Sequence, residues 1–173
     1  LAAQNTTSTK IALGICDTLQ TFPSFVYLIP VMMLFGVTDT SVLIAVIIYA
    51  TIPATRYTIE GLRSVPSALH DAASMSGVTR LQRLLQIEFP LAFPHIMLGI
   101  NQTVVFALFM VIIGAFIGTE DLGQYIMKAL SDNKGGGKGL ILGLCVAFMG
   151  LAVDNLIRTW ANKRKKLLGL EEY

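Results

Sequence analysis

Charge is what this sequence has least of. Only 14% of its 173 residues are Asp, Glu, Lys or Arg, while 54% are apolar; an ordinary soluble domain carries about 25% charged residues. With a mean hydropathy of +0.66, too few charges remain to coat a water-facing surface, which excludes a disordered chain and a conventional soluble enzyme. Cysteine is scarce as well. Cys16 and Cys145 show no CxxC spacing, which excludes a disulfide framework and a cysteine zinc site. The two histidines, His70 and His95, stand 25 residues apart without metal-ligand spacing, and no Ser, Cys or His constellation for nucleophilic catalysis is present. The glycine run from Lys134 to Gly139 is not a P-loop: Asp132 stands where the first glycine belongs and Gly139 where Ser or Thr belongs. It reads as a flexible external turn. The first basic residue, Lys10, precedes a segment holding Asp17 and two prolines, a pattern unlike a secretory leader.

What the sequence has instead is long uncharged runs. Four stand out: 18–38, 40–55, 96–119 and 139–153. About 20 apolar residues cross a bilayer as a helix, so the first and third suffice as they stand. The second gains length if Arg56 reaches the interface, and the fourth if it continues past Asp154 to about Ile157, with Trp160 at headgroup level. The expectation is an all-α, multi-pass membrane protein with about four spanning helices.

Lys and Arg set the orientation, because short loops rich in them stay in the cytoplasm. Placing 56–95, the C-terminal tail and, by alternation, Lys10 inside puts ten basic residues there and leaves three, Lys128, Lys134 and Lys138, outside. The tail run Lys163 to Lys166 then reads as a stop-transfer and lipid-headgroup anchor rather than a nucleic-acid patch.

The inner segment 64–95 predicts two short helices around a glycine. Ser64 and Pro66 start the first, in which Leu69, Ala72, Ala73 and Ser76 share a face, and Gly77 ends it in a left-handed cap. Thr79 caps the second, which places Leu81, Leu84, Leu85 and Glu88 on one side and Arg80 and Arg83 elsewhere, until Pro90 stops it. Small side chains on the first helix let another protein approach its backbone closely, with Asp71 to fix the register.

Asp71-Ala72-Ala73, three residues, Gly77, nine residues, Ile87, one residue, Phe89-Pro90 resembles the EAA loop of bacterial ATP-binding-cassette importer permeases, with Asp for Glu and Phe for Leu. QTFPSFVYLIPVMMLFGV (20–37), RYTIEGLRSVP (56–66) and GINQT (99–103) resemble the permeases for glycine betaine, proline betaine and choline. Glu120-Asp121-Leu122-Gly123 departs from that group's Gly-Gly-Leu-Gly and adds two carboxylates on the expected external face. The resemblance implies a type I importer permease of the bacterial inner membrane, taking up a betaine-like solute. A different small solute, such as an amino acid, is the alternative; a non-transporting scaffold or membrane enzyme is a remote one.

It implies a second permease copy, cytoplasmic ATPases that bind ATP and Mg, and an extracytoplasmic binding protein or domain, with no cofactor on this chain. Asp71, Ala72, Ala73, Gly77, Arg80, Arg83, Ile87 and Pro90 would form the coupling loop, with Arg80 and Arg83 available to acidic groups of the ATPase. Residues 1–173 would be one permease domain lacking N-terminal helices, since the family's core has five or more spans.

Inside the membrane, Asn101 and Gln102 either line a pathway or join helices. Pro23 and Pro30 interrupt the first span, and Phe22, Phe25 and Tyr27 offer aromatic faces to a quaternary ammonium ion. Asp17 and Asp154 are expected to pair with basic neighbours.

Overall fold

The structure, a computed structural model, describes residues 6–115, 122–132 and 136–167. Among these residues it is helical throughout: α1 (Thr6–Thr21), α2 (Phe25–Phe35), α3 (Asp39–Arg63), α4 (Ser67–Met75), α5 (Arg80–Arg83), a π-turn (Leu84–Glu88), α6 (Phe89–Gly114), α7 (Leu122–Ser131) and α8 (Gly136–Leu167). Three stretches of these residues are long and apolar enough to cross a membrane, Asp39–Arg63, Arg80–Gly114 and Gly137–Leu167, and the bent pair α1 and α2 makes a fourth if it counts as one span. The 25 residues of α3 rise about 38 Å at 1.5 Å each, more than a bilayer core.

The first uncharged run, 18–38, is interrupted at Pro23, as its sequence implies, but not at Pro30, through which α2 continues. α1 and α2 meet at 89°, and Pro23 is the reason: it has no N–H to give Leu19, and its ring disfavours helix at Phe22. The Leu19 carbonyl is repaired locally. It accepts the N–H of Phe22 at 3.3 Å and the hydroxyl of Tyr27. α2 then ends at Gly36, whose φ of 76° suits glycine. The turn into α3 is held by Ser41 Oγ donating to the Gly36 carbonyl at 2.6 Å and by Thr38 capping the Ser41 N–H.

α3 and α6 form the most extensive pairing, and glycine makes it possible. A Cβ on Gly61 of α3 would sit 2.7 Å from the His95 Cβ, and one on Gly99 of α6 would sit 2.8 Å from the Tyr57 Cβ. Small residues are how helices approach in lipid, where burial of apolar surface gives no drive between them. Further along the same two helices the core gathers Cys16, Tyr27, Leu28, Val42, Ala45, Ile52 and Met110 from α1, α2, α3 and α6. Tyr27 packs on Tyr49 at 5.4 Å, and Tyr49 stacks on Phe106 at 5.0 Å. α8 lies at the edge: it contacts α6 and α7, yet nothing in its most apolar stretch is buried.

α8 also continues past Ile157 through the basic run to Leu167, and Arg164 lies over the Trp160 ring at 5.7 Å. The predicted turn at Lys134–Gly139 is corrected in its described part, since residues from Gly136 onward form the first turn of α8. Lys134 and Gly135 lie outside the described residues, as do Glu120 and Asp121.

The stem of Tyr57 cannot swing away, so Gly99→Val should force α3 and α6 apart and cost about 1–3 kcal/mol. A Cβ at Gly14 meets nothing within 4 Å, so Gly14→Ala should be neutral or slightly stabilising. Thermal unfolding of the detergent-purified protein separates the two.

Candidate functional site

The segment between α3 and α6 folds as its sequence predicts at its centre. Pro66 stands before the first residue of α4, and Ser76 ends it with its N–H on the Ala72 carbonyl. Gly77 follows with φ 69°, and a Cβ there would meet nothing within 4 Å, so backbone conformation, not crowding, demands glycine. Thr79 opens α5 with a full capping box: its side chain accepts the Gln82 N–H, and Gln82 Oε1 accepts the Thr79 N–H at 2.9 Å.

The end of the second helix differs from expectation. Pro90 does not stop it; α5, the π-turn and α6 run on as one helix from Arg80 to Gly114. A proline clashes with the carbonyl four residues before it. In the π-turn Phe89 N–H reaches back to the Leu84 carbonyl, which widens the backbone just ahead of Pro90 and lets the helix pass.

Asp71 and Ala72 are exposed, and Ala73 is the one residue of α4 that is buried. Arg80 is exposed, while Ile87 and Pro90 are half-buried. Arg83 departs from the outward role its sequence position implies. Its Nε donates to Glu88 Oε1 at 2.9 Å, and His70 Nδ1 of α4 lies 3.3 Å from the same oxygen. Glu88 is only 2% exposed, and a buried carboxylate draws cations to itself because an unpaired one is costly. The side that the sequence assigns to Leu81, Leu84, Leu85 and Glu88 is not kept: Leu81 and Leu85 are exposed while Glu88 is buried, because the π-turn shifts the helical phase between them.

The residues proposed for the pathway do not share one surface. Phe22, Pro23, Phe25 and Pro30 are exposed around the α1–α2 bend, whereas Tyr27 is buried against Tyr49. Asn101 and Gln102, adjacent in sequence, diverge. Buried Asn101 donates from Nδ2 to Asp154 Oδ1 of α8 at 2.6 Å, while its own Oδ1 has no partner among the described residues. Gln102 faces a cavity on the other side of α6, lined also by Gln20, Pro53, Arg56, Tyr57, Glu60 and Phe106. Arg56 organises that side: it reaches Asp17 at 2.6 Å, Gln20 at 3.0 Å and Glu60 at 3.0 Å. The expected ion pairs of Asp17 and of Asp154, the latter to Arg158 at 2.8 Å, are both present.

Two long apolar helices are joined through a glycine-centred helix pair, and over residues 1–166 the sequence matches the family described as binding-protein-dependent transport system inner membrane component. The chain belongs to that family. It is 79% identical, over 98% of its length, to the trimethylamine N-oxide transport system permease protein of Pelagibacter ubique. To the protein of the same description from Ruegeria pomeroyi it is 49% identical over 98%, and to the glycine betaine transport system permease protein of Bacillus subtilis 34% over 95%. It spans 24%, 26% and 58% of those three proteins, respectively. The inner-membrane family and the three or more apolar helices make the chain a multi-pass membrane protein and a transport component.

Within this permease the Asn101 to Asp154 bond joins α6 to α8. Asp154→Ala leaves the Asn101 amide buried without a partner and should lower stability by about 1–2 kcal/mol, while Asp154→Asn, which keeps an acceptor, should cost less. Melting curves in detergent measure both.

Proposed function

We propose that the chain is the part of an ATP-binding-cassette importer permease that carries the coupling loop, and that the complete transporter takes up a small solute bearing a trimethylated nitrogen. The observation that carries this reading is the loop itself: a helix with exposed Asp71 and Ala72, a left-handed Gly77 and a capped second helix that continues into the membrane. Such a helix presents little side chain and lets a partner's groove close on its backbone. Asp71, Ala72, Ala73 and Gly77 transmit force and make or break no bond; ATP and Mg belong to a cytoplasmic ATPase subunit.

In this reading residues 56–95 and the C-terminal tail lie in the cytoplasm of a bacterium, a second permease copy completes the pathway, and an extracytoplasmic binding protein or domain delivers the solute. The basic residues around 56–83 and in the tail support that sidedness. ATP-driven closure of the ATPases would rock the permeases between inward- and outward-open states.

For the solute, the names of the two relatives at 79% and 49% identity favour trimethylamine N-oxide over glycine betaine, proline betaine or choline. Trimethylamine N-oxide, glycine betaine and choline share a trimethylated cationic nitrogen, which aromatic faces attract. Phe22 and Phe25 are exposed at the bend, and Phe106 lines the cavity beside Gln102.

The full-length permease, reconstituted with its ATPase and binding protein, should accumulate labelled trimethylamine N-oxide and be inhibited by unlabelled glycine betaine more than by proline. Uptake of proline without trimethylamine N-oxide would overturn the solute assignment. Gly77→Arg should abolish both ATPase retention and uptake, while Gly77→Asn, which tolerates left-handed backbone, should keep most of each. The coupling assignment fails if Gly77→Arg leaves both intact.

A further inference from the structure

We infer that Glu88 is a positioning residue that ties α4 to the spanning helix α6, so that movement of α4 by a docked ATPase reaches the membrane. This rests on the reading of the segment as a coupling loop.

The chain by itself is a poor transmitter here. α4 is joined to its neighbours by a short connector on each side, and the connector after it turns on Gly77 with open space around it. α4 buries only Ala73. A helix attached through such a turn can swing without moving the helix beyond it, so rigid transmission needs a contact across the junction.

Glu88 supplies that contact. One carboxylate oxygen, Oε1, meets Arg83 Nε of α5 at 2.9 Å and His70 Nδ1 of α4 at 3.3 Å. At 2% exposure Glu88 has little water to turn to, so pulling its partners away leaves a buried carboxylate uncompensated, which is costly. The cavity beside it is lined by Leu62, Arg63, Val65 and Ser67 as well, so the end of α3, the start of α4 and the π-turn converge on this carboxylate.

The placement of Glu88 gives the tie its mechanical sense. Ala92 lies one turn further along the same side of the helix, and its carbonyl and Cβ are, with the His95 Cβ, the atoms nearest to where a Cβ on Gly61 of α3 would stand. Displacing His70 therefore loads the side of the helix that is keyed into α3. The π-turn contributes by setting the phase of Arg80–Arg83 independently of Phe89–Gly114, which lets Arg83 and Ala92 serve different neighbours.

The test uses the full-length permease with its ATPase and binding protein in proteoliposomes, with trimethylamine N-oxide as the solute. It reads solute moved per ATP hydrolysed and ATPase retained on purification. Glu88→Ala should keep ATPase retention and basal hydrolysis within about twofold and lower the ratio by about tenfold, and Glu88→Asp should recover much of it. His70→Ala, which leaves the Arg83 pair in place and spares folding, should lower the ratio by about threefold or more. A ratio within about twofold of the wild type in His70→Ala, or in a Glu88→Ala protein that inserts normally, overturns the inference. If the wild type retains no ATPase, the coupling-loop reading itself falls, a result distinct from a coupled wild type with unaffected variants.

Discussion

The approach of α3 to α6 at Gly61 and Gly99 is the constraint from which the other arrangements follow. In lipid, apolar surface is as content against acyl chains as against another helix, so a pairing must be decided by how closely two backbones fit. Two glycines, each with a neighbouring Cβ where its own would stand, let these helices meet face to face. The loop from Ser64 to Glu88 begins and ends at that contact, so its span is set by it. α1 and α2 lie against α3, and among the described residues α8 leans mainly on α6 and α7.

Prolines then divide the helices according to what repairs each missing bond. Inside a membrane every freed carbonyl needs a local partner. At Pro23 the repair is a side chain from the next helix, the Tyr27 hydroxyl on Leu19, and the chain bends by 89°. At Pro90 the repair is a change of backbone type, and the helix runs on. Pro53 and Pro94 sit inside α3 and α6, which continue through them. One residue type thus yields a sharp bend, a π-turn or an unbroken helix, depending on what lies nearby.

Polar contacts do the joining that apolar contact cannot. Arg56 holds α1 to α3 through Asp17 and Gln20. Asp154 holds α8 to α6 through Asn101. Glu88 holds α4 to the π-turn through His70. Each network couples two elements across a junction: at Asp154 and Glu88 one carboxylate faces two partners, and at Arg56 one guanidinium serves three acceptors. Charges are scarce in this chain because each one inside it needs such a partner.

Much of this was legible in the residues. The uncharged runs located α3, α6 and α8, because hydrocarbon admits only helices with internal hydrogen bonds. Gly77 and Thr79 marked the turn and cap of the loop, because left-handed backbone and an orphan N–H are local demands met by local residue types. Asp17 and Asp154 could be expected to pair, since charges at membrane depth do. Pro23 marked a break in the first run, but the tertiary structure alone decided the 89° angle there, the continuation through Pro30 and Pro90, the inward turn of Arg83 and the parting of Asn101 from Gln102. These depend on a tyrosine hydroxyl or a carboxylate met across a junction, or on a turn that widens, and sequence spacing along one regular helix records neither which neighbour it will face nor where its winding changes.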